Sequence, residues 1–425
     1  MSGADGTRGG VRTVVHRLSW GVADQAVSSL SNFALGLFVV RAFGASGLGA
    51  FTLAFVTYTV LLNASRGLAT DPLLVRFSAA TAGPLRRASA ASAATALAVG
   101  VPAGAVCVAA GLLLPSGVGP VFVALGFGLP GLLLQDSWRF GFFAGGRPGA
   151  ALVNDLVWTL LMVAGLATLH LTGSGSVTRC LAVFGATASL AAVVGAVQSG
   201  TPPRPSAVPG WLREHHALSV RYLVENVSIS GASQLRSFVL GAVVDLAALG
   251  YVRSAEMLMG PFVVILMGVC QVAVPEASRV LHRAPSRLSR FCFLLGAVQA
   301  AGAVVWGTAL VLLLPHGAGR LLLGGAWDPT SALLVPVALA VAAGCFSTGA
   351  TAGLRAMGAA PLSLRAQLIA SATYLVGGTG GAILAGAPGT CWGVTAANTA
   401  GALVWWYHLR TALREHPSPA IGALR

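Results

Sequence analysis

Arg236 is the residue whose type and place most demand a chemical explanation. It stands in an apolar run, QLRSFVLGAVV, between Leu235 and Ser237 with Gln234 close by. A guanidinium stays charged, and its planar fork fits the oxygens of a phosphate or a carboxylate. A charge facing lipid at mid-membrane costs about 2.5–3.5 kcal/mol on insertion scales, so such a group faces a protein interior or a wet cavity. Other ions stand in or beside similar runs: Asp24, Arg66, Asp136, Arg139, Asp155, Glu225 and Glu256, with Arg41 and Arg253 toward the opposite ends. Asp136 and Arg139 are three apart, a spacing at which two side chains on one helix can pair. The same spacing relates Arg253 to Glu256. Two readings stay open. The ions line a polar vestibule that takes an anion and a coupling proton or cation, or they are ion pairs and snorkelling side chains that hold helix ends at the interface. No metal site is expected: the six Cys show no CxxC spacing and the eight His form no His-x-x-x-His pair.

The elements that carry these groups follow from composition. Of 425 residues, 56% are hydrophobic and 9% charged, against about 25% in soluble domains. Mean hydropathy is +0.80. This excludes a water-soluble enzyme, a disordered chain and a disulfide scaffold. One span needs roughly 20 residues. Apolar runs at about 20–42, 46–67, 88–114, 119–143, 150–171, 177–199, 218–243, 248–274, 290–314, 329–352, 362–386 and 389–410 give twelve. They lack strand alternation, and backbone groups in lipid must be paired internally, so they are expected to be helices. The first 19 residues are polar with no apolar segment before Trp20, so no cleavable leader is expected.

The net charge of +14 is a topology signal. All 26 basic residues are arginine, and with the N-terminus inside, 21 of them fall on the cytoplasmic side. That bias places both termini in the cytoplasm and removes the reason to expect a nucleic-acid partner. The Pro-rich stretch 200–217 divides six spans from six. The expected organisation is a cytoplasmic segment 1–19, a six-helix bundle 20–199, a cytoplasmic linker 200–217, a second bundle 218–410 and a tail 411–425. Two Arg-bearing loops, 68–87 and 275–289, suit either short interfacial helices or solvated loops.

The halves resemble each other. A shift of 201 places Asp24 on Glu225, Gln25 on Asn226, Leu48 on Leu249 and Gly49 on Gly250. Six spans per half keep the same orientation, which implies a pseudo-two-fold axis along the membrane normal. The expected fold is therefore an all-α polytopic membrane protein, twelve transmembrane helices in two related six-helix bundles around a central cavity. Pro102, Pro130, Pro261 and Pro336 fall inside spans, as static kinks or as hinges.

The stretch SSLSNFALGLFVVRAFGASGLGAFTLAF resembles the first hairpin of Wzx-type polysaccharide flippases of the multidrug/oligosaccharidyl-lipid/polysaccharide exporter superfamily. SRGLATDPLLVRFS and LLLQDSWRFGFFAGGRPGAALVNDLVW are similar to stretches of actinobacterial members. The resemblance implies export of a polyprenyl-diphosphate-linked glycan across a bacterial cytoplasmic membrane by alternating access, with membrane lipids and polysaccharide-synthesis enzymes as partners. On that basis Arg236, Arg139, Arg66, Arg253 and Arg41 are substrate-cavity candidates, with Arg236 on the diphosphate. Asp24, Glu225, Asp155, Asp136 and Glu256 are candidates for ion coupling or the polar vestibule. No catalytic residue and no cofactor are expected, and the chain has no GxxxxGK[ST] loop. Two other functions compete: a cation-coupled drug or small-solute antiporter of the same superfamily, and a membrane-embedded glycan polymerase or glycosyltransferase. Short outer loops, with Asp245 and Asp328 as their conspicuous carboxylates, argue against the enzyme.

Overall fold

The computed structural model describes residues 4–78, 80–314 and 316–415. The side chains of 4–26, 225, 227–230, 267–272, 274, 275, 316 and 360 lie outside that description. The described residues form helices and short connections. In chain order these are α1 (Ala4–Ser65), α2 (Asp71–Phe77), α3 (Ala82–Leu113), α4 (Gly119–Ala144), α5 (Pro148–Leu171) and α6 (Val177–Ser199). After them come α7 (Val208–Val243), α8 (Leu246–Arg283), α9 (Leu288–Leu313), α10 (His316–Leu323), α11 (Trp327–Ala356) and α12 (Ala360–Glu415).

Two of these helices are too long to cross once. α1 breaks at Gly44 (φ 70°), and α12 breaks at Ala385 and Gly386, whose φ is 60°. Positive φ is where glycine carries no Cβ penalty, so each break falls on a residue able to reverse the chain. Beyond the second break Gly381 lies against Gly389, and Gly377 against Gly393, so the two arms of α12 run back along each other. With α1 and α12 each contributing two crossings, and α3–α9 and α11 one each, the chain is an all-α protein of twelve membrane-crossing helices. Nine helical stretches among the described residues are long and apolar enough to cross by themselves. Leu113, Leu171 and Leu384 turn more than four-fifths of their surface outward, which suits acyl chains and not water.

Local sequence sets the ends. The Ser176 hydroxyl accepts the Arg179 amide at the start of α6, and the Asp245 carboxylate accepts the Ala248 amide at the start of α8. Both are N-caps. The loop expected at 68–87 contains the short helix α2, and that expected at 275–289 is the continuation of α8 through Arg283. The linker 200–217 is itself helical from Val208, where α7 begins.

The chain resolves into two compact units. One is Met1–Leu35 with Ala50–Gln234; the other is Gly36–Gly49 with Leu235–Arg425. The cut is not at 200–217. The first unit includes the early part of α7, whose Trp211 indole and Ser219 hydroxyl donate to the Leu68 carbonyl. The second includes the tip of α1. There a Cβ on Gly49 would overlap the Leu246 carbonyl oxygen, and a Cβ on Gly250 would overlap that of Ala45. Under the 201-residue shift 45 maps to 246 and 49 to 250, so this contact is its own image. The weak repeat in the sequence is thus a physical pairing of two glycines with two backbones.

Gly49→Ala and Gly250→Ala are each expected to destabilise the second unit by about 1–3 kcal/mol, the range for overpacking a close contact. The double variant should cost less than the sum, since both changes break one contact. Thermal unfolding of the purified protein in detergent checks this; additive losses would contradict a shared contact.

Candidate functional site

In the first unit the charges are joined between helices. At the end of the second arm of α1 the chain loosens into a five-residue π-turn, Arg66–Thr70. Arg66 opens it and sends Nε and Nη2 to Asp136 on α4 at 2.9 and 2.6 Å. The Phe140 ring lies 4.9 Å from the same guanidinium. Arg139, one turn on, meets Asp155 on α5 at 3.4 Å. The expected pairing of Asp136 with Arg139 along α4 is corrected: Asp136 points to the α1 end and takes a bidentate fork, which a neighbour on its own helix cannot supply. Gln135 donates to Asp155 at 2.7 Å and to Asn154 at 3.2 Å. Asn154 donates to the Ala191 carbonyl and to Gln198. Gln135, Asp136, Asn154 and Asp155 are all at least 95% buried. A small cavity beside Asp155 is lined by Ser28, Ser31, Asn32 and Trp158.

The π-turn frees carbonyls that an α-helix would pair. Leu68 takes the two donors from α7, and Ala69 takes the Ser92 hydroxyl of α3 at 3.0 Å. Asn226 of α7 donates to Asp71, at the start of α2, at 2.7 Å. Such π-turns cluster at functional sites.

In the second unit Arg236 is 6% exposed. Its Nη2 donates to Glu256 of α8 at 2.6 Å, and its guanidinium stands 5.6 Å from the Tyr374 ring on the first arm of α12. Its Cγ and Cδ occupy the space where Gly378 has no Cβ. Its Nε is buried with no hydrogen-bond partner among the described residues. Arg253 lies 3.6 Å from the other Glu256 oxygen, so Glu256 serves Arg236 as well as Arg253, the neighbour that its spacing predicts. At 1.5 Å per residue, Arg236 lies about 10 Å and Glu256 about 15 Å from the α7–α8 turn, within the thickness of a bilayer.

The remaining candidates fall elsewhere. Arg41 is exposed at the tip of α1 and donates to the Leu321 carbonyl beside α10. The side chains of Asp24 and Glu225 lie outside the described residues. Asp328 is held by Arg320 in a two-point pair, and Asp245 is the α8 cap. Among the described residues no group of three His, Cys, Asp or Glu is placed to hold a metal. Sequence reasoning missed Gln135, Asn154, Asp71 and Tyr374, and took Asn226 only as part of the repeat. A signal existed for most of them. Asp24–Gln25, Gln135–Asp136, Asn154–Asp155 and Glu225–Asn226 are all acid–amide doublets, and only the first and last were noticed.

No protein-family model matches the chain, and no curated protein matches its sequence. Solved structures do match. The lipid II flippase MurJ in an inward closed conformation superimposes with a TM-score of 0.68 at 11% identity, over 94% of this chain and 89% of that one. An inward-facing multidrug resistance MATE family transporter of the MOP superfamily gives 0.66 at 13%, over 94% and 100%. A MOP superfamily transporter from Pyrococcus furiosus, described as having a binding pocket of reverse polarity, gives 0.55 at 14%, over 95% of each. This chain shares its fold with these transporters.

Within that MOP fold each compact unit carries its own buried ionic cluster. The clusters differ in kind: the first links α1, α4 and α5 through two ion pairs and three amides, while the second centres on one arginine. Breaking the first should be costly, because removing one partner strands the other in a poorly solvated site. Asp136→Ala is expected to cost about 3 kcal/mol or more, and Arg66→Ala/Asp136→Ala together less than Asp136→Ala alone. Thermal unfolding of the three proteins gives the comparison; a double variant weaker than Asp136→Ala would contradict it.

The α2–α7 clasp supplies a pH dependence outside the spans. α7 has 36 residues, about 54 Å at 1.5 Å each, so its polar first turns project beyond a hydrocarbon core of about 30 Å. His215 there is 1% exposed, packed on Trp211 and Phe77, with Nδ1 3.3 Å from Arg76. Burial and then Arg76 hold its pKa below the usual histidine value, against the neighbouring Glu214. The unfolded chain therefore binds more protons than the folded one as pH falls through about 6.5, and stability drops there, by at most about 1.4 kcal/mol per pH unit. Unfolding temperatures compared between neutral and mildly acid buffer should fall more for the wild type than for His215→Gln. Equal falls would remove His215 as the cause.

Proposed function

We propose that this chain is a Wzx-like flippase that moves a polyprenyl-diphosphate-linked oligosaccharide from the inner to the outer leaflet of a bacterial cytoplasmic membrane. The observation that carries this reading is Arg236: a buried cation within a span, gripped by one carboxylate, with its Nε unpartnered among the described residues. Glu256 is about four times as exposed as Arg236, their side chains standing at 30% and 7%. It holds the place that a phosphate oxygen would take, and exchange of carboxylate for phosphate keeps the guanidinium satisfied throughout. Arg253 stands beside the same carboxylate and extends the basic surface. Arg66, Arg139 and Arg41 are proposed along the path of the head group, with Asp24, Glu225, Asp155 and Asp136 as candidates for a coupling ion.

Energetics supports an anion moving outward. An inside-negative potential favours outward transfer by about 2.3 kcal/mol per charge per 100 mV, a real drive for a diphosphate. In this reading both termini are cytoplasmic, the two compact units are the moving bodies, and polysaccharide-synthesis enzymes deliver the substrate. The outer carboxylates that a polymerase or glycosyltransferase would need are engaged in a cap and a surface ion pair. The multidrug neighbour favours a second reading, a cation-coupled antiporter of drug-like solutes.

The test is leaflet exchange of a fluorescent polyprenyl-diphosphate oligosaccharide in proteoliposomes. Arg236→Ala is expected to slow it at least about tenfold, the loss of one charge-assisted contact, at equal reconstitution, with Arg236→Lys intermediate. Wild-type rates in Arg236→Ala would overturn the assignment of Arg236. Wild-type transport of an organic cation without any leaflet exchange would favour the antiporter.

A further inference from the structure

The first unit has a second basic feature, away from its ion-pair cluster. Where α3 begins and α4 and α6 end, a cavity of about 490 Å³ opens at one edge. That volume lies in the range of small-ligand sites. Arg86 and Arg147 both line it, and none of its lining residues is acidic. Arg86 is fixed by donating Nη2 to the Gly200 carbonyl at 2.7 Å, and Arg147 stacks 5.6 Å from the Phe142 ring. Ser89 and Gln198 add polar groups. Trp138, also in the wall, is 1% exposed, and its indole N–H has no hydrogen-bond partner among the described residues. Two guanidiniums facing one cavity with no counter-charge in its wall attract an anion with several acceptor oxygens.

The surroundings indicate where that anion comes from. Val197 lines the cavity and is 77% exposed. Leu190 and Val193, at 54% and 62% exposure, continue the same face of α6 away from it. Spacings of three and four residues make this one continuous apolar stripe. A polar pocket at the foot of an outward-facing apolar stripe matches a molecule with a phosphate head and an acyl tail. The helix ends involved lie on the side that holds most of the arginines in the sequence, where anionic lipids attract basic groups.

We propose that this cavity binds the phosphate headgroup of an anionic membrane lipid, with an acyl chain along Leu190, Val193 and Val197. The site is separate from Arg236 and does not depend on the transport reading. Arg86 and Arg147 hold the phosphate, with Ser89 and Gln198 beside them in the cavity wall.

Native mass spectrometry of the purified full-length protein tests this, titrated with phosphatidylglycerol or with phosphatidylcholine of the same chains. The wild type is expected to prefer phosphatidylglycerol. Arg86→Gln/Arg147→Gln should weaken that binding about thirtyfold, at roughly fivefold per arginine, and leave phosphatidylcholine unchanged. Arg87→Gln, on the same helix but outside the cavity, should bind as the wild type does, which separates this site from general surface charge. Ser89→Phe fills the cavity while keeping both arginines and should also lose the lipid. Each variant is first required to run as a single species with a wild-type unfolding temperature; Arg86→Gln/Arg147→Gln suffices if Ser89→Phe fails to fold. Equal phosphatidylglycerol binding by wild type and Arg86→Gln/Arg147→Gln would overturn the proposal. So would displacement of the lipid by inorganic phosphate alone, which would make the cavity a site for the free ion.

Discussion

A charge inside a bilayer has to find its partner within the protein, and much of this structure follows from that constraint. Arg66, Asp136, Arg139, Asp155 and Arg236 are largely buried, and each is met by a side chain from another helix. Lipid-facing surfaces offer no hydrophobic drive for helix association, so polar contacts of this kind, together with close packing, hold the helices in place. The result is specific as well as cohesive. Asp136 can accept a bidentate fork only from a guanidinium at the end of α1, and Asn154 reaches the Ala191 carbonyl only if α5 and α6 lie at one register. The clusters fix which helices touch, and at what height.

The backbone obeys the same rule. The π-turn after α1 gives up regular pairing, and the carbonyls of Leu68 and Ala69 are supplied by Trp211, Ser219 and Ser92. An irregular turn persists where other groups satisfy the carbonyls it frees. At the far end of the span, Gly49 and Gly250 solve the opposite problem. They bring two backbones together so closely that no side chain fits between them.

Much of the architecture was legible because hydropathy and length report directly on spanning helices. The twelve apolar runs correspond to twelve crossings, including the reversals at Gly44 and Gly386, which separate runs that would otherwise read as single helices. The residues of both clusters were legible by a related argument, since an ion in an apolar run stands out. The pairing within the first cluster was not. Asp136 lies three residues from Arg139 and 70 from Arg66, and sequence proximity favoured the wrong partner. Helix rotation decided it, and rotation is set by packing that no single helix encodes. The boundaries of the two units were hidden for the same reason. The Pro-rich stretch 200–217 looks like a divider, but Trp211 and His215 bury themselves against Leu68, Phe77 and Arg76. The start of α7 reads as loop because Arg213, Glu214, His215 and His216 stand together among few apolar residues.

Short segments are exchanged between the sequence halves. The tip 36–49 belongs with the second half, through Gly49 and Gly250. The start of α7 belongs with the first half, through Asn226, Trp211 and Ser219. From Gly49 to Arg66 is 17 residues, about 25 Å along the helix, so the two contacts sit at opposite ends of one membrane thickness. Their chemistry differs. The glycine contact is tight and apolar and loses close packing as soon as it is separated. The clasp is built from single hydrogen bonds to freed carbonyls, each of which a water molecule can replace at the membrane surface.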